Sequence, residues 1–410
     1  MRVSTSQVFR SGVDNIQRSQ QDLSRTQLQL GSGKQILSPA DDPSGAVQSL
    51  QLASAVEKLE QYERNGLALQ QRLQSSETVL TSVVDGLQRV RELAVQGNNG
   101  SQTNETRAII AGEIRQALDE LFQLANSRDA NGEYLFAGLS SLTEPFARVG
   151  NGDIAYLGDE GQRAIRISAV RTVPLGDAGS RVFVDIPNGN GTLQATDSAD
   201  NAGTGVISVD GLFDTSAWTN DEYTIGFATN TAGQLVYFVE GSSSGPVVPA
   251  SGNVDDAPVY VSGQAIAFDG ARVTIQGSPE PGDQFTVAPS GKQDLFATYR
   301  ELAVALEAPV SDGASRARLN NAMNRGLLDL DQGLGRLLEI QTSLGARMKS
   351  TETQSRVNED QLLQLRTALS EIQDLDYAEA ISRFNLQQTA LQAAQQTFVQ
   401  VQRLSLFNFL

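Results

Sequence analysis

The chain has 410 residues, a formal net charge of −17, no cysteine and no histidine. The lack of those two residue types argues against thiol chemistry, an imidazole general base and the usual zinc and copper sites. The acidity argues against a nucleic-acid partner, because phosphate binding needs a basic face. No apolar run approaches the ~20 residues that cross a membrane. We therefore expect no cofactor, no enzyme activity, and neither nucleic acid nor membrane as a partner.

The first predicted element is a helix over about residues 4–30, ended by the glycines at 31 and 33. Its apolar side chains recur every seventh residue and lie on one stripe, which another helix must cover. The stripe consists of Phe9, Ile16, Leu23 and Leu30.

Two more helices are predicted before the middle of the chain. Asp42 followed by Pro43 predicts a helix start, since a carboxylate caps the first turn and proline fits its first position. This helix should end near residue 97, and a third should span about 104–128. The long helix has its own apolar stripe, which includes Leu73, Leu80 and Leu87.

The middle of the chain has the pattern of short strands. Tyr134–Ala137 and Ala164–Ile167 predict a hairpin region. Residues 171–291 then contain 17 of the 37 glycines, and 3 basic against 14 acidic residues, a balance of 3 − 14 = −11. Turn signals between short apolar runs such as Val182–Val184 predict a β-rich domain with Trp218 in its core.

Helices return after residue 292 and continue to the end. One helix should stop near Pro309, a long one should span about 312–372, and a last one should start at the cap Asp376. The last helix repeats the seven-residue stripe and then continues it, so the two chain ends are predicted to pair. Its stripe consists of Tyr377, Phe384, Leu391 and Phe398, followed by Val401, Leu404, Phe407 and Leu410.

Polar residues interrupt the stripe of the 312–372 helix at Thr351, Ser355 and Asn358. A polar stretch in a helical seam often fixes register at a cost in stability. We predict that it sets how this helix lies against the helix over 52–94. Leucine at all three positions should then raise the melting temperature and impair assembly.

The predicted fold class is mainly α with an inserted β domain. Long antiparallel helices from both chain ends form a helical bundle or coiled coil, and the middle forms a β-rich domain. The predicted segments are 1–41 with 373–410 as terminal assembly helices, 42–170 with 292–372 as a helical rod with the hairpin region, and 171–291 as the outer β domain.

Three motifs could in principle bind phosphate, bind a cation or catalyse a reaction, but each has a structural explanation. Gly31-Ser32-Gly33-Lys34 lacks the spacing and the preceding strand of a phosphate loop, and it reads as a helix end. The acidic pairs Asp41-Asp42 and Asp255-Asp256 could serve acid–base work or bind a cation, but neighbours in sequence rarely point at one site. We interpret both pairs as capping and turn residues.

Several segments together resemble the bacterial flagellins and their junction relatives. The N-terminal signature is similar over Leu30–Ile36 and Asp41–Ala46, and again over Arg89–Gln96. On the C-terminal side, Leu344–Arg347 and Asp376–Ala380 match the same family. The resemblance covers about residues 1–140 and 292–410, and the combination of motifs is specific.

The resemblance implies a structural adaptor of the flagellum at the junction of hook and filament. It implies an extracellular protein that is exported unfolded, without a cleaved signal peptide, by the flagellar type III apparatus. The implied partners are neighbouring copies of itself, the first hook–filament junction protein, flagellin, and an export chaperone at the C-terminal helix. The terminal stripes from Phe9 to Leu410 would form the assembly and chaperone interface.

Two alternatives remain open at this stage. The chain could be filament flagellin itself, which purified polymerisation would reveal. More remotely, its central domain could bind glycans through exposed aromatic side chains, for which Trp218 and Tyr223 are the plausible pair. The stretch from Gln88 to Leu93 is also similar to the flagellin patch that a vertebrate innate receptor recognises. Its residues Gln88, Arg89, Arg91, Glu92 and Leu93 are predicted either to contact neighbouring subunits or to form such a patch.

Overall fold

The structure, a computed structural model, describes residues 5–150 and 152–407, with side chains for 7, 9–150 and 152–400. Six α-helices form within this part of the chain, in the places that the periodicity predicts. Only the third is clearly shorter than predicted, since it ends at residue 125. The helices are α1 Thr5–Ser32, α2 Pro43–Gly97, α3 Asn104–Ala125, α4 Leu295–Glu307, α5 Gly313–Gln373 and α6 Tyr377–Phe407.

All the strands in the described chain lie between α3 and α4, so the mainly helical fold with a β-rich insertion is confirmed. They are β1 Phe146–Val149, β2 Asp153–Tyr156, β3 Ala164–Arg166, β4 Thr172–Pro174, β5 Ile186–Pro187, β6 Leu193–Asp197, β7 Val206–Leu212, β8 Tyr223–Thr229, β9 Leu235–Gly241, β10 Gly245–Val248, β11 Ala265–Phe268, β12 Ala271–Gln276, β13 Gln284–Pro289 and β14 Lys292–Gln293.

The chain divides into two compact units. We call the first the terminal unit; it comprises Met1–Gly66, Ile167–Val170 and Thr353–Leu410. The second, the central unit, comprises Leu67–Arg166 and Arg171–Glu352. The three segments predicted from the sequence have other boundaries, and they stay a prediction.

Helices of the central unit share one apolar core. The predicted stripe of α2 is fully buried there, and so is the stripe of α5. At Gly333 a Cβ atom would lie 2.5 Å from Leu295 and 3.2 Å from Leu87, so α5 packs closely on α4 and α2 at this glycine. The buried stripe residues are Leu73, Leu80 and Leu87 of α2, and Met323, Leu330, Leu337 and Leu344 of α5.

The β domain is built from two antiparallel sheets. One has the strand order β10-β9-β8-β13-β6 and the other the order β11-β12-β7. Side chains from both sheets form one core that includes Tyr223, Phe227, Phe268 and Phe285. Trp218 packs on this core but is only partly buried, so it lies at the edge of the core rather than inside it as predicted.

Polar side chains of α5 attach the β domain to the helices of the central unit. The Asn321 side-chain oxygen accepts a hydrogen bond from the Ile207 amide at 2.9 Å, and its amide donates to the Gly205 carbonyl at 3.1 Å. The Asp329 carboxylate, only 3% exposed, accepts from the Gly189 amide at 2.6 Å. These bonds satisfy backbone groups that would otherwise be buried without partners.

Two predicted strands are wrong. Tyr134–Ala137 is irregular, because its backbone groups bond to separate loops: the Tyr134 amide to Ser141 and the Leu135 amide to Ser127. Val182–Val184 lies in a short π-helical segment, Ser180–Val184. The ring of Phe183 there stacks edge-on against Phe136 and Phe146, with centroids 5.1 and 5.5 Å apart. Burial of consecutive side chains removes the in–out alternation that a half-exposed strand needs.

Candidate assembly interface

The two ends of the chain pair with each other as predicted. In the terminal unit α1 and α6 lie side by side and run in opposite directions, since Phe9 meets Phe398 while Gly33 meets Tyr377. The Phe9 and Phe398 ring centroids are 5.2 Å apart. A Cβ atom at Gly12 would come within 2.8 Å of the Phe398 ring, so this glycine permits the close approach.

Backbone hydrogen bonds join the end of α1 and the loop after it to the turn between α5 and α6. The Gln35 amide donates to the Gln373 carbonyl at 2.8 Å, and the Leu375 amide donates to the Gly33 carbonyl at 3.0 Å. Gly33 has φ +70°, a left-handed conformation that glycine adopts without strain after a helix. This short bridge fixes where the two helices begin to run together.

Carboxylates cap the helices on both sides of this bridge. Asp376 accepts from the Ala378 and Glu379 amides at 2.9 and 3.1 Å and so caps α6. Asp42 accepts from the Ser44 amide at 3.1 Å and caps α2, and a backbone hydrogen bond from Gly45 keeps the pKa of Asp42 below its usual range. Backbone hydrogen bonds from Ser38 and Leu37, together with Arg25 at 2.8 Å, lower the pKa of Asp41. Both aspartates thus serve the fold, as interpreted from the sequence.

The paired stripes are only half covered within one chain. Phe9 remains 47% exposed and Tyr377 53% exposed, although both stand on the predicted seam. The remaining described stripe residues are half-buried: Ile16, Leu23, Leu30, Phe384, Leu391 and Phe398. The side chains of Val401, Leu404, Phe407 and Leu410 lie outside the described residues.

Further apolar side chains point outward from the same two helices. Leu28 on α1 is 62% exposed, and Leu386 on α6 is 72% exposed. Ile381 and Val399 on α6 are about half exposed. Large exposed apolar patches on soluble proteins mark interaction sites, so this helix pair is the candidate interface.

Two polar residues that the sequence analysis missed are buried between the terminal helices. Thr26 is 3% exposed and donates to the Asp22 carbonyl at 3.0 Å. Gln29 is 5% exposed and donates to the Gln35 carbonyl at 2.7 Å. Both occupy the last turns of α1 beside the loop, where they satisfy backbone carbonyls.

The polar residues that interrupt the apolar stripe of α5 each form a specific hydrogen bond. In the terminal unit, Ser355 donates to the Glu63 carboxylate on α2 at 2.7 Å. Asn358, 2% exposed, donates to the Ile167 carbonyl at 3.0 Å. In the central unit, the buried Thr351 hydroxyl donates to the Arg347 carbonyl of its own helix at 2.8 Å. Because a leucine at 358 would leave a buried carbonyl unpaired, we no longer expect the triple replacement to raise the melting temperature.

We call Gln88, Arg89, Arg91, Glu92 and Leu93 the receptor-like patch, and all of them except Leu93 are exposed. In the central unit Gln88, Arg89, Arg91 and Glu92 lie on the outer face of α2, whereas Leu93 is 2% exposed and belongs to the core. Arg89 pairs with Glu92 at 3.3 Å and with Glu113 of α3 at 3.2 Å. Arg91 bonds to Asp331 of α5 at 2.9 Å, and this bond raises the pKa of Arg91.

The remaining candidates for chemistry do not converge on a site. The Asp255 carboxylate accepts from the Thr231 amide at 2.7 Å, and the Asp256 carboxylate accepts from the Ser251 hydroxyl at 2.9 Å. Over residues 5–150 and 152–407 no group of three or more acidic side chains is placed to hold a metal ion. No helix in that part of the chain is long and apolar enough to cross a membrane. Tyr223 is 0% exposed, so the aromatic pair expected for glycan binding is not available.

Comparison with known proteins agrees with this arrangement. Residues 3–141 match the model of the bacterial flagellin N-terminal helical region, and residues 328–410 match that of the flagellin C-terminal helical region. The chain is 23% identical to flagellar hook-associated protein 3 of Salmonella typhimurium over 100% of this chain and 99% of that protein.

A solved structure is more similar still. Flagellar hook-associated protein 3 of Legionella pneumophila is 33% identical, with a TM-score of 0.76 that covers 78% of this chain and 98% of that one. The match to flagellin of Escherichia coli is partial: 27% identity over 60% of this chain and 51% of that protein. Paired terminal helices around a β insertion and both family models thus define a protein of the flagellin class. Within that class, the chain belongs to the flagellar hook-associated protein 3 family.

Proposed function

We propose that the protein is a structural subunit of the flagellum that joins hook and filament. Copies of the chain form a ring, with the first hook–filament junction protein on one side and flagellin on the other. The observation that carries this proposal is the half-covered pair of α1 and α6, together with membership in the hook-associated protein 3 family. A subunit in such a ring needs adhesive ends and no catalytic centre.

The exposed parts of the stripes supply the energy for assembly. Full burial of one large apolar side chain contributes about 1.5–3 kcal/mol. Phe9 and Tyr377 are 47% and 53% exposed, so covering the rest adds roughly 1 kcal/mol each. Repeated over the half-buried stripe and over Leu28 and Leu386, this gain is large enough to offset the cost of bringing subunits together.

Location and export follow from the same assignment. The protein acts outside the cell, in the flagellum, and reaches it unfolded through the flagellar export apparatus without a cleaved signal. Before export, a chaperone covers the apolar face of α6 as a helix in a groove. Residues 384–402 of α6 contain no charged side chain, which suits a partner that covers the helix on several sides.

The four exposed residues of the receptor-like patch have a simpler role in this proposal. Gln88, Arg89, Arg91 and Glu92 form a polar surface on the outer face of α2. We assign them to contacts with neighbouring subunits of the ring. Recognition by an innate receptor is the second interpretation, and a binding assay with the purified chain distinguishes the two.

Immunogold labelling of flagella tests the proposal most simply. The expected result is a single labelled band where hook and filament meet, together with filament loss when the gene is deleted. Purified chain at concentrations where flagellin polymerises should give no long filaments. Label along the whole filament, or polymerisation into filaments, would instead identify the protein as a flagellin.

A further inference from the structure

Six asparagines in this chain are followed by glycine. In such a pair the glycine nitrogen can attack the asparagine side chain, because glycine has no Cβ to shield its nitrogen or restrict the backbone. Five of the pairs lie among the described residues, and they begin at Asn65, Asn99, Asn131, Asn188 and Asn190. The five differ in what the glycine amide and the asparagine carbonyl are bonded to.

In four of these pairs the glycine amide already donates a hydrogen bond. Asn65-Gly66 lies inside helix α2, where backbone amides bond along the helix. An amide that donates in this way is held in place and is a poorer nucleophile. The other three bonds run from Gly132 to the Asp129 carbonyl at 3.0 Å, from Gly189 to the Asp329 carboxylate at 2.6 Å, and from Gly191 to the Asn188 carbonyl at 3.2 Å.

Asn99-Gly100, in the exposed turn after α2, has the opposite arrangement. Within the described part of the chain the Gly100 amide donates no hydrogen bond. The Asn99 side-chain carbonyl instead accepts two, from the amide and the hydroxyl of Ser101, both at 3.0 Å. Two donors on one carbonyl oxygen stabilise the negative charge that develops there when a nucleophile adds to its carbon.

Two arginines of the central unit lie beside this turn. Arg316 donates to the Asn98 carbonyl, in the peptide bond before Asn99, at 2.5 Å. A Cβ atom at Gly100 would lie 3.8 Å from the same guanidinium group. Arg107 is 3% exposed, and burial together with the charge of Arg316 lowers its pKa. Among the described side chains neither arginine forms an ion pair, so both positive charges lack a bonded counter-ion.

We propose that this turn is a self-modification site, where Asn99 converts to aspartate or iso-aspartate. The Gly100 nitrogen gives its proton to water and attacks the Asn99 side-chain carbon. The new bond closes a five-membered succinimide ring, and the side-chain nitrogen leaves as ammonia. Water then opens the ring at either carbonyl, so the net change is water in and ammonia out. Ser101 and Arg316 stabilise the negative charge of the first step.

The product carboxylate is the counter-ion that the two arginines lack. It would stand next to the peptide carbonyl to which Arg316 donates, on the exposed side of the turn. The reaction is irreversible, so the charge of this turn changes permanently with the age of the chain. This inference goes beyond the proposed function and does not depend on it, because only the folded central unit takes part.

Peptide mapping by mass spectrometry measures the conversion at all five sites in one sample. Purified full-length chain is kept in mildly alkaline buffer, either folded or unfolded in urea. In the folded chain we expect Asn99 to convert about tenfold faster than the other four asparagines. Asn99 should also convert faster in the folded chain than in urea, whereas the other four should convert faster in urea, which frees their glycine amides.

Asn190 is the matched control within the chain. Its carbonyl accepts from the amide and the hydroxyl of Thr192, both at 3.0 Å, but its glycine amide is engaged. Equal rates at Asn99 and Asn190 would contradict the role of the free amide. A slower conversion of Asn99 in the folded chain than in urea would overturn the proposal, because the fold would then protect this residue.

Variants separate activation by the turn from simple exposure. Ser101→Ala removes one of the two donors and should slow the conversion of Asn99 about tenfold. Thr192→Ala makes the same change at Asn190 and should leave Asn99 unaffected. Arg316→Gln keeps a donor for the Asn98 carbonyl without the charge and should slow Asn99 about threefold. Unchanged rates in folded Ser101→Ala and Arg316→Gln, checked by circular dichroism, would refute activation by the turn.

The aspartate product has its own test. Asn99→Asp should raise the melting temperature in low salt, and added salt should remove the gain. Asn131→Asp is the control, because it adds a carboxylate beside Asp129 rather than beside an unpaired arginine. Equal shifts in the two variants, or a gain that salt does not change, would show that the new carboxylate is not a counter-ion for Arg107 and Arg316.

Discussion

Both units of this protein carry helices whose apolar side chains recur every seventh residue, yet these stripes are buried to different extents. In the central unit Leu73, Leu80 and Leu337 are at most 1% exposed. In the described part of the terminal unit, the buried apolar side chains are few: Ile167, Leu362, Leu375 and Ala380. A stripe is completely covered where several helices surround it, and it stays half-open where it has one partner. The difference distinguishes the enclosed core of the central unit from the open helix pair that we propose as the assembly surface.

The largest effect is expected from charges placed on the half-open stripe. Leu391→Asp with Phe398→Asp should abolish both chaperone binding and ring assembly, because the proposed function assigns both partners to that face of α6. The isolated chain should lose little stability, since both side chains are already partly in water. Chaperone pull-down and electron microscopy of hook tips measure the outcome. Normal binding with a normal filament would show that this face is not used.

A matched pair of leucines separates scaffold from assembly surface. Leu80→Ala should cost the isolated chain about 2–5 kcal/mol, because Leu80 is 1% exposed and its removal leaves a cavity. Leu23→Ala should cost it about 1 kcal/mol or less, because Leu23 is half-buried, but should weaken assembly. Chemical denaturation and junction counts measure the two effects. Equal losses of stability would mean that the two units do not differ in the way described.

The buried Asp329 carboxylate, through which α5 bonds to the β domain, should make the stability of the central unit depend on pH. Burial raises the pKa of Asp329 to about 6, with partial opposition from the Gly189 amide and Arg325. Because the folded pKa of Asp329 lies above the unfolded value of ~3.9, the protonated form stabilises the folded chain. This stabilisation is complete below about pH 4 and is lost as the pH rises through 6. Asp329→Asn keeps an acceptor for Gly189 without the charge.

We therefore expect Asp329→Asn to stabilise the chain at pH 8 by on the order of 2 kcal/mol and to change little at pH 4. Desolvation also raises the pKa values of the partly buried Asp197 and Asp294, so the informative quantity is the difference between variant and native denaturation curves. A difference that does not vary from pH 4 to 8 would show that Asp329 does not titrate in this range.

The polar residues of α5 provide a smaller test within the terminal unit. Asn358→Leu should destabilise the chain by about 1–3 kcal/mol, because the buried Ile167 carbonyl loses its donor. Ser355→Ala, which removes only the bond to the partly exposed Glu63, should cost about 1 kcal/mol or less. Thermal melts of both variants measure these two losses of stability. A higher melting temperature for Asn358→Leu would restore the interpretation of this stretch as a costly register device.

How well the sequence predicts the secondary structure depends on how many turns the apolar pattern spans. The helices α1, α2, α5 and α6 were predictable within a few residues, because a period sustained over many turns leaves little ambiguity. Short apolar runs such as Tyr134–Ala137 were not, since burial on all sides is compatible with several backbone conformations.

The candidate interface was predictable to a similar degree. Spacing identified the stripes from Phe9 to Phe398, but it could not tell that they are half covered, because coverage depends on how many helices meet. The sequence gives no signal that Thr26 and Gln29 are buried, because Thr26 bonds within its own helix and the loop partner of Gln29, Gln35, is brought close only by the fold. The burial of Leu93 could have been inferred, because it lies three residues after Val90 on the buried stripe of α2.

Hydrogen exchange of the soluble chain and of assembled junctions tests the central claim most directly. Neighbouring subunits that cover α1 and α6 should slow exchange of the amides in residues 5–32 and 377–407 on assembly. Amides in residues 67–97, whose helix face is already buried in the central unit, should exchange at about the same rate in both states. Terminal helices that are equally protected before and after assembly would contradict the account, because they would then be complete without neighbours.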